Sequence, residues 1–430
     1  MFRTLGNLMR VADIRRKILF TLAILVVFRL GTFIPVPFTD REALTMMDEV
    51  NAFGFIDTFG GGALSNFSVF AMGVFPYITA AIIMQLLQMD VVPKFTEWRK
   101  QGEVGRRKLA QFTRYFTVIL AFIQAIGMSV GFNYMTGAEL ISDPNLMTYL
   151  IIAITLTGGT TFLMWLGEQI TEYGVGNGIS ILIFAGIVAA IPNGLNQIYE
   201  QYISGAGDQL FLNLAVLGII LVVVIAVIVG VIFIQQALRK IPIQYAKRTV
   251  NRSPVGGHST HLPLKVNAAG VIPIIFAISF IIAPQTIAGF FEGNELASTI
   301  QWIFDYTEPV GMVIYFTLII AFTYFYTFVQ VNPEQMADNL QKQGGYVPGI
   351  RPGKNTETYL TRVMYRLTFV GALFLAAVSL FPIILGSIAD LPAAVQIGGT
   401  SLLIVVGVAL NTMKQLESQL VKRHYRGFIK

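Results

Sequence analysis

The alternation of apolar stretches with basic clusters constrains this chain more than any other feature. Ten apolar stretches run along it: Ile18–Pro37, Phe67–Gln88, Tyr115–Tyr134, Leu146–Gly167, Ile179–Ile191, Phe211–Ile234, Val266–Phe290, Pro309–Val331, Leu367–Ile388 and Pro392–Met413. A bilayer core needs about 20 apolar residues per helix. All but Ile179–Ile191 meet that length; this shorter one reads either as a crossing or as a buried, re-entrant piece. Basic residues gather in five segments: the arm 1–17, the loops 89–114, 235–265 and 332–366, and the tail 414–430. Together these hold 28 of the 30 lysines and arginines. The positive-inside rule places all five in the cytoplasm. An even number of spans must then separate loop 89–114 from loop 235–265, so Ile179–Ile191 crosses too, starting near Gly178. The opposite loops agree, with Arg41 as their one basic residue among many acids, including Asp40, Glu42, Asp48, Glu200, Glu295 and Asp305. The expectation is an all-α integral membrane protein of ten helices, with both termini cytoplasmic and an uncleaved first helix. With 54% hydrophobic and only 13% charged residues, the chain has far too little charge for a soluble protein of its size.

One internal echo organises the spans. Gly73-Val74-Phe75-Pro76-Tyr77-Ile78 and Gly270-Val271-Ile272-Pro273-Ile274-Ile275 share the pattern G-V-x-P-x-I. Each lies in the second helix of a five-helix half, 18–192 and 211–413, with the external loop 193–210 between them. Because each half holds an odd number of helices, a true repeat is inverted about an axis in the membrane plane. Pro76 and Pro273 then place matching bends in both halves, or serve only packing. Before the second span, Phe59-Gly60-Gly61-Gly62-Ala63-Leu64-Ser65-Asn66 cannot continue a stiff helix. It reads as a flexible outer loop or as a re-entrant piece lining a cavity.

Catalytic chemistry is sparse. The ten spans hold one charged side chain, Arg29, about 18 Å beyond Lys17 along a helix. It must face protein or water, pairing with an outer acid or capping loop carbonyls. No span contains Asp or Glu, which counts against proton-coupled carriers. H-E-x-x-H and Walker A motifs are absent, and so is cysteine, which removes zincin, P-loop and thiol chemistry. The polar residues within spans, Thr79, Gln85, Gln124, Asn267, Gln285 and Asn411, are of the kind that join helices. In the cytoplasmic loops, the Pro/Gly-framed tip Val347–Gly353 carries Arg351, suited to an acidic partner or to RNA phosphate.

These motifs resemble the SecY/Sec61α family in its bacterial form over nearly the whole chain. The resemblance is carried by Phe28–Pro37 (FRLGTFIPVP), Phe59–Ile78, Gly102–Tyr115, Met164–Ser180 (MWLGEQITEYGVGNGIS), Ser259–Pro273, Ala337–Gly353 and Gly398–Val406. It implies an hourglass channel between two inverted halves. Unfolded polypeptides cross it, and membrane segments leave sideways through a gate. The resemblance makes loop 193–210 a hinge and the stretch from about residue 55 to 66, with Phe59–Asn66 at its core, a plug. It puts a pore ring on Val74, Ile78, Ile179, Ile183, Ile275 and Ile404. The gate is expected between the second and seventh spans, with Gln85 and Asn267 as polar contacts near the seam. Arg239, Lys240 and Arg351 match positions that dock the ATPase SecA or the ribosome. Lys240 stands where arginine is frequent, and lysine lacks arginine's planar fork. SecE and SecG are the implied membrane partners, signal peptides and preproteins the implied substrates, and the bacterial cell membrane the implied location, with no cofactor. A secondary transporter for a small solute is the competing reading, and a membrane enzyme a third that lacks a catalytic constellation.

Overall fold

The computed structural model describes residues 11–40, 57, 59–89, 91–135, 140–204, 210–245, 248–250, 253–255, 259–289, 295–389 and 393–426. Every apolar stretch of the sequence falls on a helix. The first half contains α1 (Ala12–Gly31), α2 (Phe75–Leu87), the short α3 (Pro93–Lys100), α4 (Glu103–Met135), α5 (Leu146–Tyr173) and α6 (Gly178–Tyr199). The second contains α7 (Leu210–Gln236), α8 (Ile272–Gly289), α9 (Glu295–Phe304), α10 (Pro309–Gln330), α11 (Pro333–Lys342), α12 (Lys354–Ala389) and α13 (Ala393–Arg426). Among the described residues, six helices are long and apolar enough to cross a membrane: α4, α5, α6, α7, α10 and α12. Apolar α2 and α8 are shorter. α1 carries Arg15, Arg16, Lys17 and Arg29, and the last part of α13 is charged.

Two sequence expectations need correction. Pro76 and Pro273 do not bend helices midway; each is the second residue of its helix. There the missing N–H has no partner to lose and the fixed φ favours helix initiation. Gly73 (φ +56°) and Gly270 (φ +68°) make the left-handed step just before each start. The echo therefore encodes matched helix starts, and α2 and α8 begin later than their apolar runs. Second, the chain is not wholly helical. Loop 235–265 forms strands β1 (Leu238–Tyr245), β2 (Arg248–Val250), β3 (Ser253–Val255) and β4 (Ser259–Lys265). β1 pairs antiparallel with β4 along its length, and Gln244 and Tyr245 pair with β5 (Gly345–Tyr346) from the other long loop.

Several helices also outrun their apolar cores. α5 continues past the apolar stretch Leu146–Gly167 to Tyr173, so Glu168 is helical and pairs with Arg114 of α4 at 2.6 Å. α6 runs through Pro192 to Tyr199 and passes into a π-helical turn, Glu200–Ser204. The connection after α6 is thus shorter than 193–210, and residues 205–209 lie outside the described residues.

The largest apolar cluster joins α1, α2, α5, α6, α7, α8, α10, α12 and α13 across both halves. A second gathers Phe67 and Met72 with α4 and α5. α13 packs on α6 and α7, and α2 packs on α4 and α8, so the two halves touch through α6 with α13 and through α2 with α8. α7 is apolar all round and leaves Ile219, Leu221, Val222, Ile225, Val229 and Phe233 exposed, as a helix facing lipid does.

Candidate functional site

The six residues assigned to a pore ring all belong to the largest apolar cluster or pack against it. Val74, Ile78, Ile183, Ile275 and Ile404 are buried in the central cluster, Ile404 completely, and Ile179 packs against it half-buried. Local structure explains how four helices deliver them. Val74 sits at the N-cap of α2, and Ile78 lies one turn on, its N–H bonding to the Val74 carbonyl at 3.1 Å. Ile179 and Ile183 share a face of α6. Its start is fixed by Asn177, whose side chain accepts from Ser180 N at 3.2 Å, and by Thr171 Oγ1, which accepts from Gly178 N at 2.8 Å. A Cβ on Gly178 would stand 1.8 Å from the Gly167 carbonyl oxygen, so glycine lets α5 and α6 touch. Ile275 lies in the first turn of α8, and Ile404 comes from α13. One member escaped the sequence reading: Val271, the echo partner of Val74, is buried in the same cluster. The repeat itself carried that signal. None of these seven side chains has a hydrogen-bonding or titratable group, so what they can do together is exclude water.

Residues 59–66 are packed rather than a free outer loop. Phe59, Ala63 and Leu64 are buried. Asp57 holds the turn, its Oδ1 accepting from Leu64 N at 2.8 Å and Ser65 N at 2.9 Å. Gly61 (φ +69°) and Gly62 (φ +83°) take conformations other residues resist. Asn66 Nδ2 donates to the Gly62 carbonyl at 2.8 Å. The tip rests on α6, where a Cβ on Gly186 would stand 2.1 Å from the Phe59 carbonyl oxygen. On the other side, the Arg29 guanidinium donates to the Gly61 carbonyl. The same guanidinium lies over the Phe33 ring, 4.8 Å from its centroid. The stretch after α1 holds the segment's exit: Val69 N bonds to Ile34 O at 2.9 Å and Val36 N to Phe67 O at 3.1 Å. Residues 55, 56 and 58, the expected beginning of this segment, lie outside the described residues.

At the seam between α2 and α8 the two expected polar contacts differ. Gln85 has a buried Oε1 without a hydrogen-bond partner among the described residues. Asn267 does not reach across the seam. Its Nδ2 donates to Gly270 O at 3.0 Å and its Oδ1 accepts from Gly270 N at 2.9 Å. A short amide beside a glycine turn satisfies the nearest backbone groups first. Asn267 therefore shapes the start of α8.

The two long basic loops form one folded unit, which the sequence reading treated as separate surfaces. Ile241, Ile243 and Leu264 of the sheet are buried with Ala337 and Leu340 of α11, Val347, and Leu360 and Met364 of α12. Arg239 and Lys240 are exposed where β1 begins. Arg351 is exposed on a tip shaped by Gly349 (φ +81°) and Gly353 (φ +97°), and its carbonyl accepts from Thr356 Oγ1 at 3.0 Å. None of the three is in an ion pair among the described residues.

Comparison with known proteins gives consistent matches. The SecY family model matches residues 68–413. The Protein translocase subunit SecY of Halalkalibacterium halodurans is 67% identical over 432 residues, covering all of both chains. That of Bacillus licheniformis is 68% identical and that of Bacillus subtilis 66%, each over 431 residues and the full length of both chains. Among solved structures, one described as a protein conducting channel matches with a TM-score of 0.62 at 20% identity. It covers 97% of this chain and 95% of that one. A second, of a SecY protein whose plug domain is described as stabilising the closed state and maintaining a membrane seal, matches with a TM-score of 0.67 at 20% identity over the same shares.

Proposed function

The chain belongs to the SecY family of protein translocase subunits, and from that premise we propose that it forms the protein-conducting channel through which unfolded preproteins cross the membrane. The observation that carries this reading is that six aliphatic side chains from four helices of both halves, Val74, Ile78, Ile179, Ile183, Ile275 and Ile404, belong to or pack against one apolar cluster. A channel for polypeptides must accept nearly any side chain and leak no ions at rest. Polar walls would bind some segments tightly and hold water. An aliphatic constriction makes weak, non-directional contacts and gates by dewetting. A solute transporter instead needs convergent polar groups at its midplane, and these six side chains offer none.

In the same reading the ten apolar helices all cross the bacterial cell membrane, with both termini cytoplasmic. The segment Phe59–Asn66 is the plug on the outer side of the ring. Apolar segments and signal peptides leave between α2 and α8, the seam where the two halves meet. The folded cytoplasmic unit presents Arg239, Lys240 and Arg351 to SecA or to the ribosome. SecE and SecG are the membrane partners, and the chain itself is a conduit without catalytic chemistry of its own.

The test is Ile78→Gly combined with Ile275→Gly, with the purified translocase in planar bilayers and no substrate. The expected result is a resting ion conductance absent from the wild type. A double-glycine channel as tight as wild type would remove these residues from the seal.

A further inference from the structure

We infer that Arg29 is the positioning residue that keeps the plug seated, by holding the Gly61 carbonyl from α1. This rests on reading Phe59–Asn66 as the plug. Arg29 is the one charged side chain within the apolar stretches of the sequence, and a charge at that depth needs a specific partner. Its partner is backbone: the guanidinium donates to the carbonyl of the central glycine of the Gly60–Gly62 run. The geometry leaves no ambiguity about direction, because guanidinium is only a donor and a carbonyl only an acceptor.

The surrounding contacts show what this bond adds. The exit of the segment is tied to the stretch after α1 by backbone bonds from Val69 to Ile34 and from Val36 to Phe67. The bonds made by Asp57, Ser65 and Asn66 are internal to the segment. They keep its shape wherever it sits. Against α6 the tip meets Gly186 by close backbone packing, which is non-directional. Arg29 supplies a directional, charge-assisted link between the tip and a neighbouring helix. The Phe33 ring against the guanidinium holds the donor in place. When the tip moves away, Arg29 is left without that acceptor in a weakly solvated site, which makes the seated state the favoured one at rest. A backbone acceptor also means that the latch does not depend on which side chains the plug carries.

The experiment uses the purified translocase with its membrane partners in planar bilayers, without substrate. Arg29→Gln and Arg29→Lys are each made in the full chain and in a chain lacking Gly60–Ser65. In the full chain, Arg29→Gln is expected to raise the resting open fraction by about tenfold or more, the loss of one charge-assisted hydrogen bond. Arg29→Lys is expected to raise it less, because it keeps a cation and a donor without the planar fork. In the plug-deleted chain both substitutions should be silent, an outcome that general destabilisation would not produce. A full-length Arg29→Gln channel as tight as wild type overturns the inference, and so does a leak that adds undiminished to that of the deletion. If the deletion alone leaves the resting conductance unchanged, the plug reading itself fails, which separates the two failures. Should Arg29→Gln not assemble, the lysine pair decides: a leak with the plug and none added without it supports the latch, and any other pattern overturns it.

Discussion

Replacing Gly186 by alanine tests the plug seat from the opposite side. A Cβ at this position on α6 would stand 2.1 Å from the Phe59 carbonyl oxygen and 2.9 Å from its carbonyl carbon. Ordinary contact begins at 3.4 Å, so the plug backbone must withdraw by about 1.3 Å. The obstacle is main chain, so no rotamer change relieves it. A gap of 0.5–1 Å already forfeits roughly a quarter to a half of each dispersion contact. Withdrawal on this scale strips contacts from buried Phe59 and Ala63. Overpacking of this kind costs about 1–2 kcal/mol, which multiplies the unseated fraction by roughly 5- to 30-fold. The helix itself gains, because alanine is favoured over glycine by about 1 kcal/mol in a helix interior. Folding of α6 is therefore preserved, and the cost falls on plug seating. The assay is resting conductance of the reconstituted translocase, with preprotein transport measured in parallel. Gly158→Ala is the control, since a Cβ there meets nothing within 4 Å. A Gly186→Ala channel with wild-type resting conductance would refute the seat.

Three further outcomes are expected. Arg351→Glu should abolish SecA-driven transport while leaving assembly intact, because it reverses an exposed charge on a tip whose shape is set by glycines and backbone bonds; normal transport by the variant would remove the docking role. A cysteine pair joining α2 to α8 should block transport once oxidised and restore it on reduction, whereas full transport through a completely crosslinked channel would place the lateral exit elsewhere. Gln85→Leu removes a buried acceptor that has no partner among the described residues and should favour the closed seam by about 1 kcal/mol, read as fewer spontaneous openings; more frequent openings would mean that Gln85 bonds across the seam.

Hydropathy and charge parity made much of this architecture legible. Every apolar stretch became a helix, and the span demanded by parity starts at Gly178, where it was expected. Boundaries were less legible where helix and membrane part company. α4 and α12 begin well before their apolar cores, because charged residues at the membrane face continue a helix as readily as apolar ones. α2 and α8 begin late, because Gly73 and Gly270 adopt positive φ. The prolines of the echo left bends and simple packing open, and their place in the first helical turn makes them helix starters instead. The sheet was partly legible: Ile241 and Ile243 lie two apart in β1 between Lys240 and Gln244, with exposed Pro242 between them, a period of two. β5 has only two residues and depends on a partner strand about 100 positions away, so no local pattern announces it. The proposed ring rests on motif resemblance, and Val271 joins the same cluster through the internal echo once the repeat is taken literally. The Gly186 seat was invisible, since a helical glycine declares nothing about the backbone that crosses it.

The most direct test of the central claim is photocrosslinking from residue 78 to a preprotein arrested in transit. A probe at Ile78, with companions at Ile275 and Ile404, should crosslink to the arrested chain, and each adduct should vanish when the substrate is released. Probes at Ile219 and Val229, on the exposed face of α7, should not. An arrested chain that crosslinks to the α7 probes and never to residues 78, 275 or 404 would contradict a path through the aliphatic ring.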